Sequence, residues 1–246
     1  VYLTFYEQLS EAYDALFPVS SAQRSLLRSM GYEVPGIRVV DAGCGSGGQL
    51  LPLAELGALC TGFDPDPAMV DLARRKLAPF LNVRIERGGF ADLLSFAAPV
   101  SADLVLCLGN SLVHVPRPDA ARFLSDAAAV LAPGGRLLLQ ILNYDRFSPG
   151  DETVLAPLRS ADGAAVLTRR YRWEGDGQLR FLTELTLPGD PPRILANDIP
   201  LYPIRPSDLR GLLEEAGFTE IEFWSDFARS AFANDPEALV CLARKG

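Results

Sequence analysis

VVDAGCGSGG, residues 39–48, carries an apolar run into a turn that holds Gly43, Gly45, Gly47 and Gly48. An apolar run bounded by glycine reads as a buried strand, here IRVVDAG over 37–43, and the stretch 46–57, with Pro52 near its first turn, reads as the helix that follows. Glycines at such a junction allow positive φ and let a ligand approach the backbone, whose N–H groups sit at a helix start. The plain alternative is a tight turn that binds nothing.

The same alternation continues downstream. ALCTGFD (58–64) reads as a second strand, and DPAMVDLARRKLA (66–78) as a helix started by Asp66 with Pro67 at its first position. NVRIE (82–86) and ADLVLCLG (102–109) read as strands, 119–131 as an alanine-rich helix stopped by Pro133-Gly134-Gly135, and RLLLQIL (136–142) as the next strand. Strands apolar on both faces that alternate with helices imply a parallel sheet covered on both sides.

Upstream, 3–17 and 20–30 read as two helices separated by Pro18, the second capped by Ser20 or Ser21. Tyr2, Tyr6, Leu9, Tyr13 and Phe17 fall on one face of the first. After Asn143 the alternation stops. TRRYRWEGDGQLRFLTELTL (168–187) has the pattern of an antiparallel hairpin about Gly175-Asp176-Gly177, and RILANDIPLYPI (193–204) is an extended run suited to pair with it. Ser207 starts a helix over 208–216, Gly217 ends it, and FTEIEFW (218–224) and ALVCLAR (238–244) read as closing strands. The expected architecture is α/β and doubly wound, with 1–145 and 205–246 as one domain. Residues 1–34 form a helical lid on it, and 146–204 an antiparallel insert or cap.

The chain has 246 residues, 48% hydrophobic and 22% charged, which suits an ordinary globular fold of one domain and an elaboration. Its net charge is −8 and no basic run exceeds Arg74-Arg75-Lys76, so a nucleic-acid or anionic-membrane partner is not expected and a small molecule is. Cys44, Cys60, Cys107 and Cys241 are widely spread and His114 is the one histidine, which argues against a metal site. The cysteines read as reduced ones, no apolar stretch reaches the ~18 residues of a spanning helix, and VYLTFYEQLSEAY lacks a signal-like pattern, so the expected location is cytoplasmic.

Gly43, Gly45 and Gly48 also satisfy G-x-G-x-x-G, and Asp64 ends the second strand where an acid can take both ribose hydroxyls. A nicotinamide-dependent oxidoreductase is therefore a competing reading. Asp41, two residues before the first glycine, argues against it, as do the closing strands and the lack of a Tyr-x-x-x-Lys pair.

These residues resemble the class I S-adenosylmethionine-dependent methyltransferases, which have a seven-stranded Rossmann-like sheet. VVDAGCGSGG looks like their first motif, GFDPDPAMVDLARRK their second-strand acidic turn and helix, and ADLVLCLGNSLVHV their fourth-strand motif. The resemblance implies that Asp41 orients the glycine loop and the methionine amino group, and that Gly43, Cys44, Gly45 and Gly47 pass close to the methionine part. It implies that Asp64 accepts from the ribose hydroxyls, that Pro65 and Met69 flank the adenine, that Phe90 offers its N–H, and that Leu108 and Asn110 complete the cofactor set. Gly89 stands where the family commonly carries Asp, so the adenine amino group either loses an acceptor or is served by Asp92.

CLGNSLVHV, ILNYDRFSPG and LYPIRPSDLRGLLEEAGF are further similar to glycine and sarcosine N-methyltransferases. That likeness implies transfer to an amine nitrogen, with S-adenosylhomocysteine as product. A hydroxylated or carboxylated acceptor methylated on oxygen is the second choice, and a module that binds cofactor without catalysis is a third. His114 and Asn110 end the fourth strand at the edge where ligands of open α/β folds bind; His114 either takes a proton from the acceptor or bonds to a backbone carbonyl. Tyr6 or Tyr13 would lie over the methyl group as part of the lid, or simply pack on the sheet. Asn143 and Tyr144 would line the acceptor pocket, the alternative being a turn held by Asn143 and Asp145 side chains. Tyr202 and Arg205 precede the late helix as further acceptor residues. If the acceptor is an amino acid, one of Arg169, Arg170 and Arg172 would pair with its carboxylate, Arg172 being the candidate, and the alternative is solvent-facing charge on a twisted sheet; Arg172 faces the same side as Arg170, a pair that excludes Arg169.

Overall fold

The computed structural model describes residues 9–10, 12–147, 150, 152–174, 178–233 and 235–246. Tyr2 and Tyr6, and the tip Gly175-Asp176-Gly177, lie outside them. Two short helices come first, α1 (Tyr13–Leu16) and α2 (Ser21–Ser29). Ser20 caps α2, its hydroxyl accepting from Gln23 N while the Gln23 side chain accepts from Ser20 N.

A repeating strand–helix unit follows: β1 (Arg38–Ala42), α3 (Leu50–Glu55), β2 (Leu59–Asp64), α4 (Pro67–Leu77) and β3 (Val83–Arg87). Asp66 caps α4 through bonds of 2.9 and 3.1 Å from Ala68 N and Met69 N, and Arg74, Arg75 and Lys76 lie at its negative end. The chain then runs through α5 (Leu93–Phe96), β4 (Ala102–Cys107), α6 (Arg117–Val130) and β5 (Leu131–Leu142). After an excursion it returns as α7 (Pro206–Glu215), β10 (Phe218–Trp224) and β11 (Ala238–Lys245). The excursion supplies β6 (Glu152–Arg159), β7 (Val166–Trp173), β8 (Leu179–Leu187) and β9 (Arg193–Leu201).

The large sheet has the order β10-β11-β5-β4-β1-β2-β3. Strands β1 to β5 are parallel, and β11 is antiparallel to both β5 and β10. Alternate residues feed opposite faces: Val40, Val105 and Cys107 join one apolar cluster with Phe123 and Leu124 of α6, while Val39, Leu104 and Leu106 join another with Leu50 and Leu53 of α3. Both faces are dry, as the doubly apolar strands required. The order reverses between β1 and β4, which opens a crevice at their carboxyl ends.

The second sheet is antiparallel throughout, β6-β7-β8-β9. It is fastened to the end of β5 by a run of rings, Tyr144 to Phe147 to Tyr171 to Phe181, with centroids 5.2, 5.3 and 4.8 Å apart. The bond from Tyr202 N to Val113 O, 2.8 Å, ties the end of β9 beside the turn after β4.

Several boundaries differ from the sequence pattern. The helix expected from residue 46 begins at Leu50, because residues 43–49 form an extended loop. The late helix begins at Pro206 with Arg205 as its cap residue, so Ser207 lies inside it. Helix α6 passes into β5 at Leu131, and Pro133-Gly134-Gly135 belong to an irregular start of that strand, with a register shift opposite Ala102 and Leu104. Strand β6 was absent from the pattern; its pairing slips between Leu155 and Leu158, around Pro157, which breaks the alternation that would have revealed it. No helix among the described residues is long and apolar enough to cross a membrane.

Candidate active site

The glycine loop closes over the end of β2. Gly43 N and Cys44 N both donate to Phe63 O at 2.9 and 3.0 Å, Gly47 N donates to Cys44 O at 2.9 Å, and Gly45 N donates to Asp64 Oδ2 at 2.9 Å. These N–H groups are thus engaged within the fold rather than offered to a ligand. Glycine is required for another reason at two of the positions. Gly45 has φ +51° with the Tyr13 hydroxyl 3.0 Å from where a Cβ would stand, and Gly43 has φ +75° with Ser111 Oγ equally near at 3.0 Å. Gly47 faces away: its Cβ position is 2.7 Å from Leu77 Cδ1 of α4, so it packs a helix and lines neither cavity described below.

Two carboxylates flank this loop. Asp64 accepts from Gly45 N with one oxygen and from Asp66 N with the other, each at 2.9 Å; burial nevertheless raises its pKa above the ordinary value. Asp41 is 2% exposed and its Oδ2 has no partner. Burial, and then the charge of Asp64, push its pKa up to about 7.

Two cavities open at the crevice. One, about 440 Å³, is lined by Asp64, Pro65, Met69, Gly89 and Phe90 among others; the second, about 420 Å³, takes in Asp41, Cys44, Leu108 and Asn110. They share Tyr13, Gly43, Gly109 and His114, so these four residues mark the junction. His114 is reached by solvent from the cleft but has protein massed around it, and this lowers its pKa to about 4. The water at the ring moderates that shift without changing its direction, so the imidazole is neutral at neutral pH.

Gly89 has φ −98°, and a Cβ there would meet nothing within 4 Å. Asp92 does not take the place of an acid at 89, because its Oδ2 accepts from Gly89 N at 2.9 Å. Phe90 is steadied by the ring of Phe123, 4.4 Å away.

Other residues expected at the site hold the scaffold. Asn110 adopts φ 66°, donates from Nδ2 to the Tyr144 hydroxyl at 3.0 Å, and accepts Leu142 N at 2.9 Å, so it clamps the ends of β4 and β5 together while still lining the second cavity. Tyr144 is fully buried, and Asn143 is buried with its Oδ1 accepting from Asp145 N at 3.3 Å, which is a side-chain bond of the kind the turn alternative expects; neither lines either of these two cavities. Arg205 donates to Asp145 at 3.0 Å on the surface, and Tyr202 lies off both cavities. Tyr6 lies outside the described residues.

The arginines of β7 fall opposite to expectation. Arg170 and Arg172 are exposed, whereas Arg169 shares the inner face of the strand with Leu167 and Tyr171 and lines the second cavity. The alternation with those two apolar residues was the available signal, and it outweighs the pairing of the outer two arginines. Thr183, opposite Arg169 in the register, and Glu237, just before β11, complete this wall and carried no sequence signal of their own.

Tyr13 reaches the junction because its neighbour is latched. Asp14 accepts from Ser46 Oγ at 2.5 Å and from Lys76 Nζ at 2.7 Å, and Lys76 also donates to Ser46 at 2.9 Å. One carboxylate of α1 thereby ties the N-terminal segment to the glycine loop and to α4. Among the described residues no group of three His, Cys, Asp or Glu side chains is placed to hold a metal ion.

Residues 39–135 match the family described as Methyltransferase domain. A ubiquinone biosynthesis O-methyltransferase of Xanthomonas euvesicatoria pv. vesicatoria is 38% identical over 112 residues, 45% of this chain and 45% of that protein. The chain therefore spans about half the length of that relative in the match. A glycine/sarcosine N-methyltransferase of Aphanothece halophytica is 26% identical over 223 residues, 85% of this chain and 76% of that protein. The solved structure of the CcbJ methyltransferase from Streptomyces caelestis shares the fold, with TM-score 0.81 at 23% identity over 99% of this chain and 98% of that one.

The latch makes a prediction. Lys76→Met removes its cation and leaves Asp14 with Ser46 alone, so α1 should open roughly two- to fivefold more often, as befits a partly exposed ion pair. Amide hydrogen exchange over Tyr13–Leu16 measures this, and unchanged exchange would show that the ion pair does not hold the segment.

Proposed function

We propose that this chain, whose residues 39–135 match a methyltransferase domain family, binds S-adenosylmethionine across the two cavities and passes its methyl group to a nitrogen of a small acceptor, leaving S-adenosylhomocysteine. The observation that carries this reading is the disposition of Asp64 and Asp41, the first lining one cavity and the second the other, on either side of a shared junction. An adenosyl ribose needs an acceptor for its hydroxyls, and a methionine ammonium needs a counter-charge. A dinucleotide would instead bring a pyrophosphate against two carboxylates and a loop whose N–H groups are already used, so the nicotinamide reading is disfavoured.

The donors and acceptors present fit the cofactor. Asp41 Oδ2 is a buried acceptor without a partner, a costly arrangement that an ammonium would relieve. Asp64 keeps a free lone-pair direction on each oxygen beyond its two N–H bonds, and Pro65, Met69 and Phe90 offer an apolar slot for the adenine. When bound, S-adenosylmethionine supplies a methyl group on a sulfonium, already activated for displacement.

The chain's own part is positioning and exclusion of water, effects worth about 7–11 kcal/mol where alignment is good. Tyr13, held by the Asp14 latch, covers the junction. His114 stands there as a neutral ring and can accept an N–H of the acceptor without placing a cation beside the sulfonium. An imidazole whose surroundings disfavour its charged form is a poor base for a hydroxyl, and this favours an amine that arrives deprotonated over an oxygen acceptor. The likeness to the glycine/sarcosine enzyme along 85% of the chain supports the same choice.

Four outcomes follow. Because Asp41 holds its proton up to about pH 7 in the free protein, an ammonium bound beside it should displace that proton. Cofactor binding should therefore tighten as pH rises through 7 and release a proton, measured calorimetrically in buffers of different ionisation enthalpy, and Asp41→Asn should abolish both effects. The sign for stability is opposite. The folded state keeps a proton that the unfolded chain loses near the ordinary carboxylate value, so ligand-free stability falls between about pH 4 and 7, and Asp41→Asn should gain roughly 1–3 kcal/mol over the wild type at pH 8.

His114→Gln should lower kcat/KM while leaving the shape of the pH–rate profile around neutral pH unchanged, since the ring is already neutral there; a lost ionisation near neutrality would contradict this. Gly89→Asp, for which the backbone has room, should strengthen cofactor binding by about tenfold, the worth of one added charge-assisted hydrogen bond. Weaker binding by that variant in a titration would mean that the adenine edge does not lie at residue 89.

A further inference from the structure

The second cavity extends past His114 to the inner face of β7 and β8, where Arg169 and Thr183 stand opposite each other. Arg169 Nη2 donates to Ala156 O at 3.1 Å and Nη1 lies 3.7 Å from Glu237 Oε1, while Nε is buried without a partner. Thr183 is 5% exposed and its hydroxyl likewise has no partner. The stacked rings of Tyr171 and Phe181 lie on the same wall.

Resting on the methyl-transfer reading above, we propose that this wall receives the non-reacting end of the acceptor, and that it selects uncharged hydroxyl groups on a ring rather than a carboxylate. The argument begins with charge. Arg169 is already compensated by Glu237, which lines the same space, so a carboxylate seated on the guanidinium would meet a like charge. A hydroxyl meets no such penalty, because it accepts from Arg169 Nε and donates its own proton to Glu237 or Thr183. The wall thus presents a donor, an acceptor and a group that is both, a set that two neighbouring hydroxyls satisfy together. Filling it also pairs two buried polar groups that are otherwise left unmade. The aromatic rings offer an apolar surface to the carbon face of a ring. A cavity of about 420 Å³ is of the size that holds a ring-sized molecule beside the amino-acid end of the cofactor.

The experiment uses the intact protein saturated with S-adenosylhomocysteine, so that no turnover intervenes, titrated with glucosamine, cyclohexylamine and glycine. Glucosamine should bind at least tenfold tighter than either of the others. Thr183→Val, nearly equal in shape, and Arg169→Met should erase that preference without moving the Kd of S-adenosylhomocysteine. Glu237→Gln, which removes the compensating charge, should raise the affinity for glycine about tenfold. Tighter binding of glycine than glucosamine by the wild type, a preference that survives Thr183→Val, or no binding of any amine to the loaded protein would each overturn the proposal. If S-adenosylhomocysteine itself fails to bind, it is the cofactor reading that falls, and the two failures are separately visible.

Discussion

Asp64 bonds two backbone N–H groups, one through each carboxylate oxygen, and the mouth of the cleft is built around those bonds. Gly45 N on one side fixes the glycine loop over the end of β2; Asp66 N on the other begins the turn that starts α4. Asp66 in turn caps α4, and α4 delivers Lys76 to the latch that holds Asp14 and so Tyr13. A single side chain at the end of one strand thus sets the loop, the helix and, through them, the position of α1. An amide in its place would keep one acceptor and turn its NH₂ toward the other N–H, so the carboxylate is needed for the scaffold as well as for any ligand hydroxyl.

Asp41 is the counterpart that the scaffold does not use. Its neighbours on β1, β2 and β4 give it burial and a like charge, and one of its oxygens is without a hydrogen bond. Such a residue weakens the free protein, and under the proposed reading the ammonium of the cofactor offsets that cost. The contrast between a satisfied and an unsatisfied acid, a few residues from one glycine loop, separates shape-holding from recognition more clearly than the glycines do.

The parallel sheet and the glycine loop at its edge were legible because both depend on short stretches of chain. Doubly apolar runs mark buried strands, Asp66-Pro67 marks a helix start, and Gly43, Gly45 and Asp64 sit within one strand–loop–helix–strand unit, so their spacing in sequence fixes their spacing in space. Gly47 could not be separated from its neighbours in that way, because whether a glycine faces a ligand or a helix depends on Leu77, thirty residues further on.

The acceptor side obeys other rules. Tyr144 reads as a polar aromatic at a strand end, yet its hydroxyl is taken up by Asn110 and its ring by Phe147, a fate decided by where β4 ends. Arg172 and Arg169 are three residues apart, and a strand sends them to opposite faces; which face is inner depends on how the second sheet docks, through Tyr171 and Phe181, onto the end of β5. That docking joins segments distant in sequence. The glycine-loop edge therefore rests on local geometry, while the wall formed by β7 and β8 rests on the register of one sheet against another. Under the proposed reading, a change of acceptor is made by side chains on the inner face of β7 and β8, where substitution leaves the bonds of Asp64 untouched.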